Sequence, residues 1–140
     1  MTVKEAITIA DFCDAMAIRL EVFIKEQNVP AEIEMDSCDQ PALHFVACSD
    51  GEPAGCIRMI IKGEQAKLGR LAVLKKYRGQ GVGRLLCEKV VEEAKKAGLK
   101  KVVLGAQIQA REFYEKIGFI PEGDIFMEAG IEHIHMSLDL

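Results

Sequence analysis

The chain has no excess of positive charge, no hydrophobic run long enough to cross a bilayer, no C-x-x-C cysteine pair and no repeated or low-complexity stretch. Each absence removes a class of protein. Its 140 residues carry 18 Lys and Arg against 22 Asp and Glu, for a net charge of −4 and a pI near 5.4. A nucleic-acid partner would call for a basic face instead, so none is expected. The apolar runs are too short for a membrane span, and Met1-Thr2-Val3-Lys4-Glu5 lacks the apolar core of a signal peptide; no membrane partner is expected either. Cys13, Cys38, Cys48, Cys56 and Cys87 are an odd number without ligand spacing. They read as reduced, mostly buried small hydrophobes of a cytoplasmic protein, not as a disulfide or zinc framework, and no metal is expected. With no linker, residues 1–140 read as one domain, long enough to bury about two-thirds of its unfolded surface.

What is present centres on residues 68–98: an apolar strand, a basic glycine-rich loop (Lys75-Lys76-Tyr77-Arg78-Gly79-Gln80-Gly81-Val82-Gly83-Arg84) and an amphipathic helix. Glycine at every second position lets the backbone visit positive φ and turn successive N–H groups to one side. The helix beginning near Gly81 adds unpaired N–H groups and the positive end of its dipole. Lys75, Lys76, Arg78 and Arg84 add full charges, and the sum is a seat for a phosphate or diphosphate. No Lys-Ser or Lys-Thr follows the glycines, which excludes a Walker loop. The third glycine of a dinucleotide fingerprint would fall at position 84, which is Arg84.

Along the chain, Val3–Ile9 reads as a first strand. A helix capped by Asp11 follows, with Phe12, Ala15, Met16, Arg19, Leu20, Phe23 and Ile24 at helical spacing, and it ends near Gln27. Residues 28–41 are acidic (Glu32, Glu34, Asp36, Asp39) and form a loop or short helical turn: either a solvated surface or a wall that draws a cationic amine. Residues 42–49 and 53–62 make a hairpin turning at Asp50-Gly51. A strand to Leu74 leads into the central helix, whose stripe is Val82, Leu85, Leu86, Val90, Val91, Ala94 and Ala97. After Gly98 come a buried strand from Lys101 to Leu104, a short helix over Ala110–Ile117, a strand from Phe119 to about Phe126 and a last strand, Ile131–Leu138. Periodicity alone supports one sheet layer with helices on it.

Arg78-x-x-Gly81-x-Gly83 resembles the Q/R-x-x-G-x-G/A signature of the GNAT acetyltransferases. Downstream, Ala110-Arg111-Glu112-Phe113-Tyr114-Glu115-Lys116-Ile117-Gly118-Phe119 is similar to the A-x-x-F-Y-E-K-x-G-F of the same family. The resemblance spans roughly residues 53–138. It implies an α+β fold with a mixed, mostly antiparallel central sheet of six or seven strands flanked by helices, in the order β-α-β-β-β-α-β-α-β-β. It also implies acetyl-coenzyme A as co-substrate and a small amine or amino sugar as acceptor, with the amine attacking directly in a ternary complex. Homodimers are common in the family, so a homodimer is the expected assembly.

Carried onto this sequence, the cofactor contacts are Leu71, Ala72, Val73, Arg78, Gly79, Gln80, Gly81, Val82, Gly83, Arg84, Gln107, Ala110, Phe113 and Tyr114. The N–H of Val73 would face the developing oxyanion. Tyr114, a phenol with an ordinary pKa near 10, would protonate the departing thiolate. Gln107 stands where the family usually has Asn. For the base, Glu34, Asp36, Asp39, His44 and His133 are the candidates, with His133 and Glu34 foremost; water-mediated deprotonation is the other route. His133 and His135 alternate with Ile134 and Met136, so both histidines share one face of the last strand. Arg19-Leu20-Glu21-Val22-Phe23-Ile24-Lys25-Glu26-Gln27, then Glu34, Asp36 and Asp39, looks like the R-x-x-V-F-x-x-E-Q…E-x-D-x-x-D of small bacterial members of the family, and points to an acceptor site at Arg19, Gln27, Glu34 and Asp36. Two competing readings are a non-catalytic acyl-CoA-binding module on the same fold and a nucleotide-phosphate binder.

Overall fold

Strands β1 (Thr2–Glu5), β2 (Leu43–Ser49), β3 (Glu52–Lys62), β4 (Gln65–Val73), β5 (Lys101–Gln107), β6 (Ile120–Glu128) and β7 (Ile131–Asp139) build one sheet in the computed structural model, which describes residues 1–140. Helices α1 (Ile9–Arg19), α2 (Ala31–Glu34), α3 (Val82–Lys96) and α4 (Arg111–Ile117) complete the chain. The seven strands lie in the order β1-β2-β3-β4-β5-β7-β6, antiparallel throughout except for β4 and β5. This is the mixed α+β order expected from the sequence, with α2 as the short helical turn in the acidic stretch.

The first helix starts earlier than expected. Thr8 is its cap: the Thr8 hydroxyl accepts from the Asp11 N–H, while the Asp11 carboxylate accepts from the Thr8 N–H. Asp11 is thus the third residue of a capping box and not the cap itself. That box takes up residues 8–11, so β1 stops at Glu5 instead of running to Ile9. Past Arg19 the helix widens into a π-helical segment over Leu20–Glu26, where the N–H of Gln27 reaches back to the carbonyl of Val22 at 3.2 Å. Such widenings are rare in helices and concentrate at functional sites.

Two apolar layers hold the sheet. On one face α3 lays Val82, Leu86, Val90 and Ala94 against Phe45, Ile57, Leu68 and Met136. On the other, Ala15, Ile18 and Val22 pack on Val46, Cys56 and Ala72. Truncating a sealed leucine such as Leu86 to alanine in a layer of this kind costs about 2–5 kcal/mol. Of the five cysteines only Cys56 and Cys87 are buried, and burial pushes both thiols up to about 12; Cys13 is exposed, with Cys38 and Cys48 between.

One irregularity positions everything that follows. β4 and β5 pair only from Gln65 and Lys101 to Lys67 and Val103. Beyond that, β4 pairs Gly69 with Arg58 and Ala72 with Cys56, so Arg70 and Leu71 stand together opposite Ile57 as a bulge. Arg70 has φ +51°, a left-handed conformation that a bulky side chain adopts only under constraint. The bulge bends β4 away from β5 and opens a wedge between them.

Candidate functional site

The wedge widens into a cleft of about 470 Å³, floored by β3, β4 and β5 and walled by the π-helical segment, α2 and the β6–β7 turn. Where β4 ends, at the open side of the wedge, the N–H of Leu74 donates to the carbonyl of Ala54 at 2.9 Å. Strand alternation therefore turns the N–H and C=O of Val73 toward the gap. That carbonyl accepts from Nε of Arg78 at 2.9 Å. Leu71, Gln107, Ala110, Phe113 and Tyr114 line the cleft, whereas the Ala72 side chain lies in the α1 layer.

Beyond Val73 the loop bends as its glycines require: Gly79 and Gly81 sit at φ +77° and +81°. Gly81 caps α3 without any side-chain bond, so the first-turn N–H groups of Val82, Gly83 and Arg84 face outward with no helical partner. A Cβ on Gly83 would lie 3.1 Å from the ring of Phe113, so glycine there lets α3 approach α4 closely. Three of the loop's four cations are already engaged: Arg78 donates to Glu26 at 2.8 Å, Arg84 to Glu88 at 3.2 Å and Lys76 to Glu52 at 3.5 Å. Gln80 donates to the carbonyl of Lys76. At the mouth, Gln107 donates to the Gln27 amide oxygen at 2.8 Å, joining the two sides of the gap.

Tyr114 sits 7% exposed at the end of the wedge, edge-on to Phe113 and Phe119. Burial raises its pKa, so the phenol keeps its proton at any working pH.

The side of the cleft beside α2 is built from charge. Arg19 is 1% exposed and lies behind the cleft surface. Its Nε and Nη2 grip both Glu34 oxygens at 2.8 and 3.1 Å, and Nη1 reaches Asp39 at 2.7 Å. Nη1 of Arg58 donates to Asp36 at 2.7 Å and to Asp39 at 2.9 Å. Arg70 leans from the bulge onto Glu34 and Asp36 at 3.3 and 3.1 Å. Burial alone would raise the Asp39 carboxyl, but the guanidiniums of Arg19 and Arg58 outweigh it and hold it at about 2. Burial likewise works to lower Arg19, and Asp39 and Glu34 reverse this and raise it. Arg70 is lowered, by burial first and by the neighbouring Arg58 second. Glu34, Asp36 and Asp39 are thus matched one for one by Arg19, Arg58 and Arg70, and the acidic stretch is not an open anionic surface.

His44 is buried outside the cleft, its Nε2 bonded to the Asp39 carbonyl at 2.7 Å. His133 and His135 do share a face: both lie under the ring of Phe126, at 5.6 and 4.3 Å between centroids, and both line the cleft. Nδ1 of His133 donates to the Ile131 carbonyl at 2.7 Å, which leaves Nε2 as the free nitrogen, 3.7 Å from the Glu128 carboxylate. Of the sequence-derived site residues, Gln27, Glu34, Asp36, Tyr114 and His133 meet around the cleft, while Arg19 supports it from behind.

Arg58, Arg70 and Glu128 escaped the sequence reading. A charge inside the apolar run Cys56-Ile57-Arg58-Met59-Ile60 was the available signal for Arg58. Nothing local marks Arg70 as the bulge residue.

Residues 5–140 match the family described as the acetyltransferase (GNAT) domain. Over 127 residues the chain is 39% identical to the uncharacterized N-acetyltransferase YjcF of Bacillus subtilis (strain 168), covering 90% of this chain and 91% of that protein. An acyl-CoA N-acyltransferase from Pseudomonas aeruginosa superposes with a TM-score of 0.86 at 25% identity, over 98% of this chain and 99% of the other. An aminoglycoside 6'-N-acetyltransferase solved with coenzyme A has the same fold, with a TM-score of 0.78 at 16% identity over 99% and 97% of the two chains.

Proposed function

Because the chain belongs to the GNAT acetyltransferase family, we propose that it moves acetyl from acetyl-coenzyme A to the primary amine of a small molecule by direct attack in a ternary complex. The observation that carries this reading is the parting of β4 from β5 beside a helix start that has no cap of its own. The wedge fits an extended amide arm, which would pair with Leu71 and Val73 as an added strand does. The outward N–H groups of Val82, Gly83 and Arg84, with the loop bent at Gly79 and Gly81, fit a diphosphate.

Acetyl-coenzyme A supplies an activated thioester carbonyl when bound. The protein's own part is to place donors and hold protons. The Val73 N–H is fixed by the strand and points to where negative charge develops, so it needs no reorganisation during transfer. Tyr114 holds a proton at its hydroxyl inside the cleft, available to a departing thiolate. Nε2 of His133, its other nitrogen committed to Ile131 and Glu128 alongside, takes the amine proton. Glu34 serves the wall and not the base role, since both its oxygens face guanidinium groups. Gln27 and Asp36 border the acceptor end, and Arg19 holds Glu34 and Asp39 from behind.

Thiol release from acetyl-coenzyme A with a panel of amines tests the proposal. Turnover is expected, and Tyr114→Phe is expected to lower kcat about a hundredfold or more while coenzyme A still binds with unchanged heat in calorimetry. Firm coenzyme binding without turnover of any amine assigns the chain to the non-catalytic module instead.

A further inference from the structure

The arginines of the acceptor end are not used up equally by the carboxylates around them. Arg19 commits Nε, Nη1 and Nη2 to Glu34 and Asp39. Arg58, 5% exposed and bordering the cleft, bonds its carboxylates through Nη1 alone. Its Nε is sealed and has no partner. Nε is thus a donor left unsatisfied inside the protein, at a cost of about 1–3 kcal/mol. Nη2 makes no hydrogen bond either and is not sealed, so it is the donor that a ligand entering the cleft can meet.

The floor beside Arg58 agrees. Its cross-strand partner is Gly69, whose φ lies outside the left-handed region, so the backbone does not demand glycine there. A Cβ at Gly69 would meet nothing within 4 Å. Glycine therefore leaves open space in the cleft, next to Arg58. Further along the same face stand Lys62 and Lys67, exposed and facing Gln65 and Ile60 across the ladder, with no carboxylate opposite either. Among the charged residues of the cleft, Arg58 and Arg70 are matched by Asp36 and Glu34, which leaves the floor cationic. The remaining carboxylate, Glu128, lies beside His133 on the β6–β7 side.

We propose that the acceptor is an amino acid or a close derivative: its carboxylate lies over Gly69 against the free Nη2 of Arg58, with Lys67 and Lys62 beside it, and its amine faces His133 and Glu128. This rests on the transferase reading above and sharpens it, replacing a simple cation by a molecule that carries both signs. The amine supplies the nucleophilic lone pair and loses one proton to His133; the carboxylate takes no part in bond making and serves only as a handle.

The test is thiol release with three matched sets: the common amino acids, their carboxamides, and the corresponding amines without the carboxyl group. Spermidine, glucosamine and a phosphorylated amine complete the panel. An amino acid is expected to lead, with kcat/KM about tenfold or more above its carboxamide. Lys67→Met, at an exposed position, is expected to raise KM severalfold for the amino acid, to leave kcat within about twofold, and to leave the carboxamide unaffected. Gly69→Ala puts a methyl group into the proposed seat at a point with nothing within 4 Å; it should weaken that preference while the melting temperature and the heat of coenzyme A binding stay put. Arg58→Lys should restore part of what Arg58→Met removes. Equal or better turnover of carboxamides, simple amines, spermidine or the phosphorylated amine overturns the inference and leaves the transferase reading standing. If no amine is turned over while coenzyme A still binds, both fall together.

Discussion

From Leu71 to Gly83 the chain presents its backbone to the cleft, with N–H groups fixed by a strand and a helix start and side chains turned elsewhere. From Arg19 to Asp39 it presents side chains, three carboxylates locked to three guanidiniums that arrive from α1, β3 and β4. The first region needs particular residues at few points: Gly79 and Gly81, where φ is positive, and Gly83, where a Cβ would crowd Phe113. The second needs each named partner, because a buried charge stripped of its counter-ion is costly. A ligand shared by a whole family can be held by geometry alone, whereas a private one is read by side chains. The proposed coenzyme end and the proposed acceptor end divide along that line.

The hardest blow to this contrast is Arg19→Met. It leaves Glu34 and Asp39 short of their main partner in a buried site, at a cost of about 3–5 kcal/mol, and should pull the urea midpoint down while coenzyme A binding to the surviving folded fraction changes little. Coupled loss of coenzyme affinity would erase the division. Gly81→Ala is the reciprocal experiment. With φ at +81°, a Cβ costs about 1–2 kcal/mol, and coenzyme A affinity measured by calorimetry should weaken about tenfold with the acceptor KM unaltered.

Acid titration probes the charged region when run beside an Asp11→Asn control, since the Asp11 carboxyl, bonded to Lys4 and Thr8, is likewise held at about 2. The Asp39 carboxyl is held at about 2 in the folded protein, below its unfolded value near 4. Its contribution is therefore complete above pH 4 and is lost as pH falls through about 2. The urea midpoint should stay level from pH 7 to 5 and fall between 4 and 2; a flat profile to pH 2 would contradict the pairing. The mildest change is Glu26→Gln, which frees Arg78 from an exposed ion pair. Coenzyme A binding should tighten by at most about threefold, the scale of a surface salt bridge, and a larger gain would show that the two ends are coupled through the π-helical segment.

The same division decides how much could be read in advance. The strand–loop–helix stretch was legible because its determinants are neighbours in sequence: glycines at fixed spacing, then a helical stripe. The second motif placed Tyr114 for the same reason. The acidic stretch was readable only as a row of negative residues, since the arginines that neutralise it lie fifteen to thirty-six positions away in the chain. Thr8 and Asp11 both favour helix starts, and only their reciprocal bonds show which one is the cap. A π-helical segment keeps nearly the same apolar spacing as an α-helix over seven residues, so Leu20–Glu26 carried no distinguishing mark.

The extra residue in β4 has an effect beyond the wedge it opens. Ala66 and Leu68 belong to the α3 layer, and strict alternation would send Ala72 there too; instead Ala72 joins the α1 layer, while Leu71 and Val73 pack toward α3. The strand slips half a period at Arg70, so its two halves obey opposite parities. Removing that single position would set Leu71 opposite Ile57 in a regular ladder and leave Ala72 opposite Cys56, so both interiors would survive and the bend alone would be lost.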